Sequence, residues 1–468
     1  MPSILSLLLN LTPVLAKTPC RQLALIIQAM LAMTGRISQL GISRWTQTGG
    51  SHRTIHRFFQ TPIDWPALSW RFFERFSLDL NGVYLLAGDE TVISKSGKHT
   101  HGIDRFFASL FDKAIPSIAC FSLALIDVNQ RRAYSLSNEQ ILRSPEEKEA
   151  TDIRKKQAQQ LKEQRKLRAA HKSAPLPQGR PKGTKSKDKA QVALNPELLR
   201  ILGQSQRLLA HIGQKVKLSY MVLDGHFGNH CAAAMVGQLG LHLITKMRSD
   251  SALYLQMTPA QKRAHPRQRY GDKLDYDHLP EELVCSCQIE GGSEMRRYQV
   301  VCWHKEFAQR INVVILVRRC VNSEGVASGR VGHIVLMSTD LCLAGEQMVD
   351  YYTLRFQIEF TFRDAKQHFG LEDFMGVTPA AVGNAIGLPL FLVTFTSHLL
   401  SAFGTEHPGS CVADLKSFYR GRHYLDAFVK VLAHPPDSIT YARLLERLGQ
   451  MGSIHGGCCG AAPRARAA

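Results

Sequence analysis

Three acidic side chains stand out for where they fall along the chain: Asp89, Asp224 and Glu359. Asp89 closes the apolar run Val83-Tyr84-Leu85-Leu86-Ala87-Gly88, and Asp224 closes Leu218-Ser219-Tyr220-Met221-Val222-Leu223. Short apolar runs that end in a turn-like cluster read as buried strands. Ligands of open α/β sheets gather beyond the carboxyl ends of their strands, so two parallel neighbours of this kind would bring both carboxylates together. Carboxylates crowded together cannot all stay ionised without a cation, and hard oxygen donors select Mg²⁺ or Mn²⁺. Taken singly, either aspartate is more commonly a loop cap at a strand end. The third acid weakens that explanation.

Glu359 lies in the segment Tyr351 to Phe369, part of one helical stretch expected from about Gly345 to Phe369. At about 100° per residue, Leu354, Ile358, Phe362, Ala365 and Phe369 share an apolar arc. Tyr352, Arg355, Glu359 and Lys366 fall within about 60° of one another on the adjoining arc. A phenol, a guanidinium, a carboxylate and an ammonium thus border the packing seam, where an anionic substrate could be gripped. A solvated charged face is the ordinary alternative.

The elements that must position these groups follow from the texture of the chain. Val83 to Ala87, Ile118 to Ile126, Ala133 to Leu136, Val216 to Leu223 and Leu241 to Met247 read as strands, with a helix over His230 to Leu239. That order, a meander followed by a strand-helix-strand unit, implies a mixed α/β sheet. Residues 249–340 are strand-rich, with runs Glu282 to Ile289, Tyr298 to His304, Ile311 to Arg318 and His333 to Met337. Pro379 to Phe403 is apolar on all sides and reads as a central core helix. Residues 1–80 read as short helices. Gly49-Gly50 and a capping Ser51 precede His52, Arg53, His56 and Arg57, which suits either a helix-turn-helix recognition element or a small bundle with a basic face. The expected domains are 1–80, a helical DNA-binding region; 81–248, the first part of an α/β core with a basic arm at 143–192; 249–340, a β-rich insertion; 341–405, the second part of the core; and 406–468, a helical region with a disordered tail.

The 468 residues carry 58 Lys+Arg against 39 Asp+Glu, a net charge of +19 that favours a polyanionic partner. From Arg143 to Lys189 there are 15 Lys+Arg against 6 Asp+Glu, so nearly half of the excess charge sits on about a tenth of the chain. The second half of that segment lacks the apolar residues needed to pack. Within it, Gly179-Arg180-Pro181 suits minor-groove reading by Arg180. A solvated linker is the bland alternative. Eleven scattered cysteines, including Cys285-Ser286-Cys287 and Cys458-Cys459, show no zinc-ligand spacing, which fits reduced thiols. The apolar start lacks a preceding positive charge, and Pro389, Ser397 and His398 interrupt the best membrane candidate, so a cytoplasmic, nucleoid-associated protein without a membrane partner is expected.

The spacing Tyr352-x2-Arg355-x3-Glu359-x6-Lys366 resembles the Tyr-Arg-Glu-Lys signature of a large group of bacterial insertion-sequence DDE transposases, and the order Asp, Asp, β-insertion, Glu is similar to that group's layout. The resemblance covers roughly residues 80–400. It implies a ribonuclease-H-like mixed sheet core with an inserted β-rich subdomain, and an enzyme that cuts and joins DNA. Asp89, Asp224 and Glu359 would coordinate two Mg²⁺ ions, with Mn²⁺ as a substitute, while Tyr352, Arg355 and Lys366 would contact phosphates near the scissile bond. The implied partners are double-stranded DNA, as terminal inverted repeats and as target, and a second copy in a synaptic homodimer. A hairpin intermediate is implied in the same way.

Some details transfer less cleanly. Glu90 faces away from Asp89 if the strand continues. Asp340 is expected to cap the following helix, Asp364 to lie on another face, and His226 to be an ordinary loop histidine. Trp303, the one tryptophan of the insertion, suits base stacking, although most strand tryptophans are core residues. Two alternatives stay open: a ribonuclease-H-like nuclease without strand transfer, and a catalytically silent DNA-binding repressor from a decayed element.

Overall fold

The computed structural model describes residues 3–46, 49–95, 97–108, 111–170, 192–290, 293–321 and 327–455. Arg180, the second half of the basic segment and the expected disordered tail beyond residue 455 lie outside the described residues. Contacts divide the chain into two units: Met1–Gln140 with Gln204–Asp224 and Glu346–Ala468, and Ile141–Gly203 with Gly225–Gly345.

In the first unit the sheet is built around β1 (Tyr84–Ser94), which pairs antiparallel with β3 (Lys113–Asp127) and parallel with β5 (Leu218–Val222). β2 (Asp104–Ala108) and β4 (Arg132–Gln140) both pair with β3. The architecture is therefore mixed α/β with parallel and antiparallel pairing, in keeping with a ribonuclease-H-like DDE fold. β1 does not stop before Asp89, as its polar Asp89-Glu90-Thr91 had suggested. It runs on to Ser94, because the long β3 continues to pair with it from Tyr84↔Asp127 to Ser94↔Ser117. The short β2 carried no clear alternation in sequence.

Among the described residues, five helices precede the sheet: α1 (Ile4–Leu9), α2 (Lys17–Ala32), α3 (Gln39–Arg44), α4 (His52–Gln60) and α5 (Trp65–Phe76). Their apolar faces form one core with α12 (Pro379–Glu406) and α13 (Val412–Val429), including Leu23, Ile27, Phe58, Phe72, Phe391 and Leu415. α12 is apolar all round because it is packed all round; it is long and apolar enough to cross a membrane, but 67% of its most apolar window is buried within the protein. Its one buried amide, Asn384, is fully used. It accepts from Trp65 Nε1 at 2.9 Å and donates to the carbonyls of Phe59 at 2.9 Å and Thr61 at 2.8 Å. Gly387 permits this packing, since a Cβ there would meet the Trp65 ring at 2.3 Å. α14 (Ser438–Gln450) packs on α13.

The helical stretch before α12 is two helices, α10 (Gly345–Leu354) and α11 (Gln357–Phe369), and not the single one expected. At the break the hydrogen bonds tighten to three-residue spacing: Arg355 N to Tyr352 O at 3.2 Å, Ile358 N to Arg355 O at 3.1 Å and Glu359 N to Phe356 O at 3.1 Å. The apolar arc survives the break. Leu354, Ile358, Phe362, Ala365 and Phe369 are all buried. Ile358, Phe362 and Ala365 pack on Ile93, Ile118 and Cys120 of the sheet, each large side chain contributing about 1.5–3 kcal/mol by burial. Gly370, with φ of 65°, ends α11 in the left-handed conformation that glycine tolerates.

The second unit contains α6 (Pro145–Ala170) and most of a long antiparallel sheet; α7 (Pro196–Ile212) contributes residues to both units. α6 begins with a reciprocal cap, Ser144 N to Glu147 Oε2 at 2.8 Å and Glu147 N to Ser144 Oγ at 3.2 Å. After α8 (His230–Gln238), β6 (His242–Met247) pairs with β11 (Ala327–Ser338), β11 with β10 (Ile311–Val321), and β10 with β9 (Ser293–His304). β7 (Leu253–Tyr254) and β8 (Val284–Glu290) pair with β9, and α9 (Pro259–Ala264) lies between them in sequence.

Candidate active site

The three acids all belong to the first unit. Asp89 lies within β1, and Asp224 lies two residues past the end of β5. The parallel register Ala87↔Val222, carried on by two residues, puts Asp89 level with Asp224. Gly88 keeps the strands tight beside them, because a Cβ there would meet Phe121 at 2.8 Å and Leu223 at 2.9 Å. Glu359 is in the first turn of α11, the helix that packs its apolar face on β1 and β3.

Between these acids lies Arg355. Its Nη1 donates to Asp89 Oδ2 at 2.7 Å, and its Nη2 donates to Glu359 Oε1 at 3.0 Å. The tightened turn between α10 and α11 directs this side chain inward, where only 7% of it is exposed, against 18% for Asp89 and 45% for Glu359. Burial pushes the Asp89 carboxyl up to about 6; Arg355 and the Glu90 N–H pull it down, while the charges of Asp224 and Glu359 push it further up. Burial opposes the charge of Arg355, yet Asp89, Tyr352, Glu359 and Asp224 hold its pKa above the ordinary value. Tyr352 is raised by burial; Arg355 counters that rise, and Asp224 and Asp89 add to it. Asp89 and Arg355 thus both sense the charges of the other two acids.

One guanidinium is a poor match for three carboxylates. Burial makes the Asp89 charge costly and the two other acids add to that cost, while Arg355 Nε is buried without a hydrogen-bond partner among the described residues. An all-oxygen set of three acids fits hard divalent cations.

Residues 10–310 match the family model of the DDE superfamily endonucleases, more than half of the chain. The chain belongs to that family. None of the curated proteins compared with it matches. Membership makes this a nucleic-acid-cleaving enzyme with DNA as its substrate, in a family that normally uses divalent metal ions. The matched residues include Asp89 and Asp224 and end before Glu359, so the third acid stands on geometry alone.

The other residues singled out in sequence fall at varied places in this DDE endonuclease. The Tyr352 ring centroid lies 6.0 Å from the Arg355 guanidinium carbon. Lys366 Nζ donates to the Val92 carbonyl at 2.9 Å and pairs with Glu372 at 3.2 Å, so it is tied to β1 and to the loop after α11. Glu90 is exposed. Asp364 accepts from Arg363 at 3.0 Å. In the second unit, His226 pairs with Glu197 at 3.2 Å. Asp340 accepts from Cys342 N at 2.9 Å, which caps a turn instead of the helix that starts at Gly345. Trp303 is partly buried on β9, with the Arg269 guanidinium stacked 4.4 Å from its ring centroid and Tyr270 at its edge. On α4, capped by Ser51, the side chains of His52, Arg53, His56 and Arg57 are exposed while Ile55, Phe58 and Phe59 are buried. Sequence reasoning missed the inward turn of Arg355. The i, i+4 spacing of Arg355 and Glu359, which favours such an ion pair, was the available signal.

Proposed function

We propose that this DDE endonuclease is a cut-and-paste transposase of the Tyr-Arg-Glu-Lys group, which cleaves DNA at the ends of its insertion sequence and joins the 3′-hydroxyls to target DNA. One observation carries the reading: Asp89 and Glu359 share the Arg355 guanidinium, while the charge of Asp224 reaches both Asp89 and Arg355. In this reading Asp89, Asp224 and Glu359 hold two Mg²⁺ ions, with Mn²⁺ as a substitute. Bound there, the ions would supply Lewis acidity toward the attacking and leaving oxygens of an in-line displacement at phosphorus.

Arg355 has two tasks in this scheme. Without cations it keeps three like charges from repelling the strands and helix apart. Once cations neutralise the acids, its fork is free for the oxygens of a substrate phosphate, which it fits in bidentate fashion. Tyr352 borders the same place, and Lys366 supplies a point charge beside β1. The exposed basic face of α4 and the basic segment 143–192, with Arg180, would grip the backbone of the terminal repeats, and Trp303 would stack on an unpaired base. Two copies would bridge the two ends in a synaptic dimer.

The test is a strand-transfer assay with the element's own ends, a supercoiled target and Mg²⁺. Cleaved ends covalently joined to target are expected. Cleavage without joined product would instead make the protein a ribonuclease-H-like nuclease, and binding without cleavage would make it a silent repressor.

A further inference from the structure

A second group of metal-type donors lies in the first unit, away from the three acids in sequence, where the C-terminal segment returns to the start of α13. Cys411 Sγ, a carboxylate oxygen of Asp414 and a ring nitrogen of His455 all lie within 4.8 Å of one another. Cys411 is the N-cap of α13, and Asp414 is its third residue. The two close a capping box, in which Cys411 Sγ accepts the N3 backbone N–H and the Asp414 carboxylate accepts the Cys411 N–H. Cys411 is partly exposed at the start of this 18-residue helix, so its sulfur can be reached from solvent. Cys120 and Cys302 differ sharply: both are buried in apolar surroundings that push their thiols up to about 12.

Asp414 is buried, at 3% exposure, yet held ionised. Burial alone would raise its pKa; donation from the backbone N–H groups of Cys411, Ile454 and His455 and from the His455 ring holds it far below the usual carboxylate range. The His455 ring meets it through Nδ1 at 2.9 Å, with about half of the side chain still exposed, so an ion can reach the group from solvent. Thiolate, imidazole and carboxylate together form a mixed S, N, O set, which suits a tetrahedral Zn²⁺ with one position left open and does not suit Mg²⁺.

We propose that Cys411, Asp414 and His455 form a zinc site that fastens the C-terminal segment to the start of α13. Binding forms bonds from Zn²⁺ to the Cys411 sulfur, an Asp414 oxygen and the His455 ring. One proton leaves the Cys411 thiol for solvent, and His455 binds as neutral imidazole with its N–H on the other ring nitrogen. The ion would replace the Asp414–His455 hydrogen bond, while the backbone donors keep the carboxylate oriented.

The experiment is a Co²⁺ titration of the full chain carrying Cys458→Ser and Cys459→Ser, which removes the thiols that follow His455 in sequence. Cobalt reports its ligands: a thiolate gives a charge-transfer absorption that the oxygen ligands of Asp89, Asp224 and Glu359 cannot give. One equivalent with that absorption is expected, displaced by Zn²⁺, abolished by adding Cys411→Ser and weakened about tenfold or more by His455→Ala. Cys411→Ser keeps a competent helix cap, so its loss of signal is not a loss of fold. Zinc should also slow hydrogen exchange at the amides of Ile454 and His455. No thiolate absorption in the parent protein, or the same absorption after Cys411→Ser, would overturn the site; unchanged exchange at the two amides would overturn the fastening.

Discussion

Asp89 and Asp414 are sheltered aspartates of the same unit, and their surroundings push them in opposite directions. Asp414 is saturated: three backbone N–H groups and an imidazole converge on its two oxygens. Asp89 has one guanidinium contact and one N–H, and feels two further acids. The difference separates a carboxylate used to hold the chain together from one whose charge burial makes costly and one guanidinium only partly offsets. In the proposed reading, that cost at Asp89 is what a bound cation would relieve. The saturation of Asp414 keeps its charge present at all ordinary pH, so a softer ion held with Cys411 and His455 need not displace a proton from the carboxylate.

The largest expected effect is on chemistry. Asp89→Asn, Asp224→Asn and Glu359→Gln should each reduce Mg²⁺-dependent DNA cleavage to background while leaving DNA binding intact in a gel-shift assay; a variant of any of the three that still cut would remove that acid from the site. Arg355→Ala should lower cleavage by on the order of a hundredfold, since a preorganised donor to phosphate is lost even though the acids are unpaired. Wild-type cleavage in that variant would leave Arg355 a structural tie only. Stability should then separate the two aspartates by sign. Asp414→Asn should cost about 2–3 kcal/mol in denaturant unfolding, through weakened bonds to a charged acceptor. Asp89→Asn, without divalent ions at pH 7, should stabilise by about 1–3 kcal/mol, the value of relieving a two-unit upward shift. Equal signs would break the comparison.

The pH dependence is the smallest effect and sharpens the same contrast. The folded pKa of Asp89, about 6, is above its unfolded value, so its contribution is fully present below about pH 4 and is lost as pH rises through about 6. The folded pKa of Asp414 is depressed, so its contribution is present above the usual carboxylate value and is lost as pH falls below it. Melting curves of metal-free protein should therefore show the gap between wild type and Asp89→Asn opening between pH 4 and 6. The gap between wild type and Asp414→Asn should close only below pH 4.

Much of the unit around the acids was legible because its signals are local. Apolar runs placed β1, β3 and β5, and the 3.6-residue period picked out Leu354, Ile358, Phe362, Ala365 and Phe369, all of which are buried. The uniformly apolar Pro379 to Phe403 was read as a core helix, and α12 packs as one. The errors came where a partner element overrode the local pattern. The polar Asp89-Glu90-Thr91 looked like a strand end, and only the length of β3 keeps it in the ladder. The break at Arg355–Phe356 left no glycine or proline to announce it, and it coincides with the burial of a guanidinium between two acids. Cys411 and His455 are 44 residues apart in number, so no spacing rule could bring them together; the return of the chain past α14 does so.

The central claim is that the acids on β1, after β5 and on α11 together bind hard metal. It is tested most directly by anomalous diffraction from crystals of the protein soaked in Mn²⁺. Manganese is expected about 2.1 Å from oxygens of Asp89 and Asp224, with Glu359 beside it and the Arg355 guanidinium displaced from between the acids. A map without manganese at these acids, with Arg355 still joining Asp89 to Glu359 at saturating ion, would contradict the account.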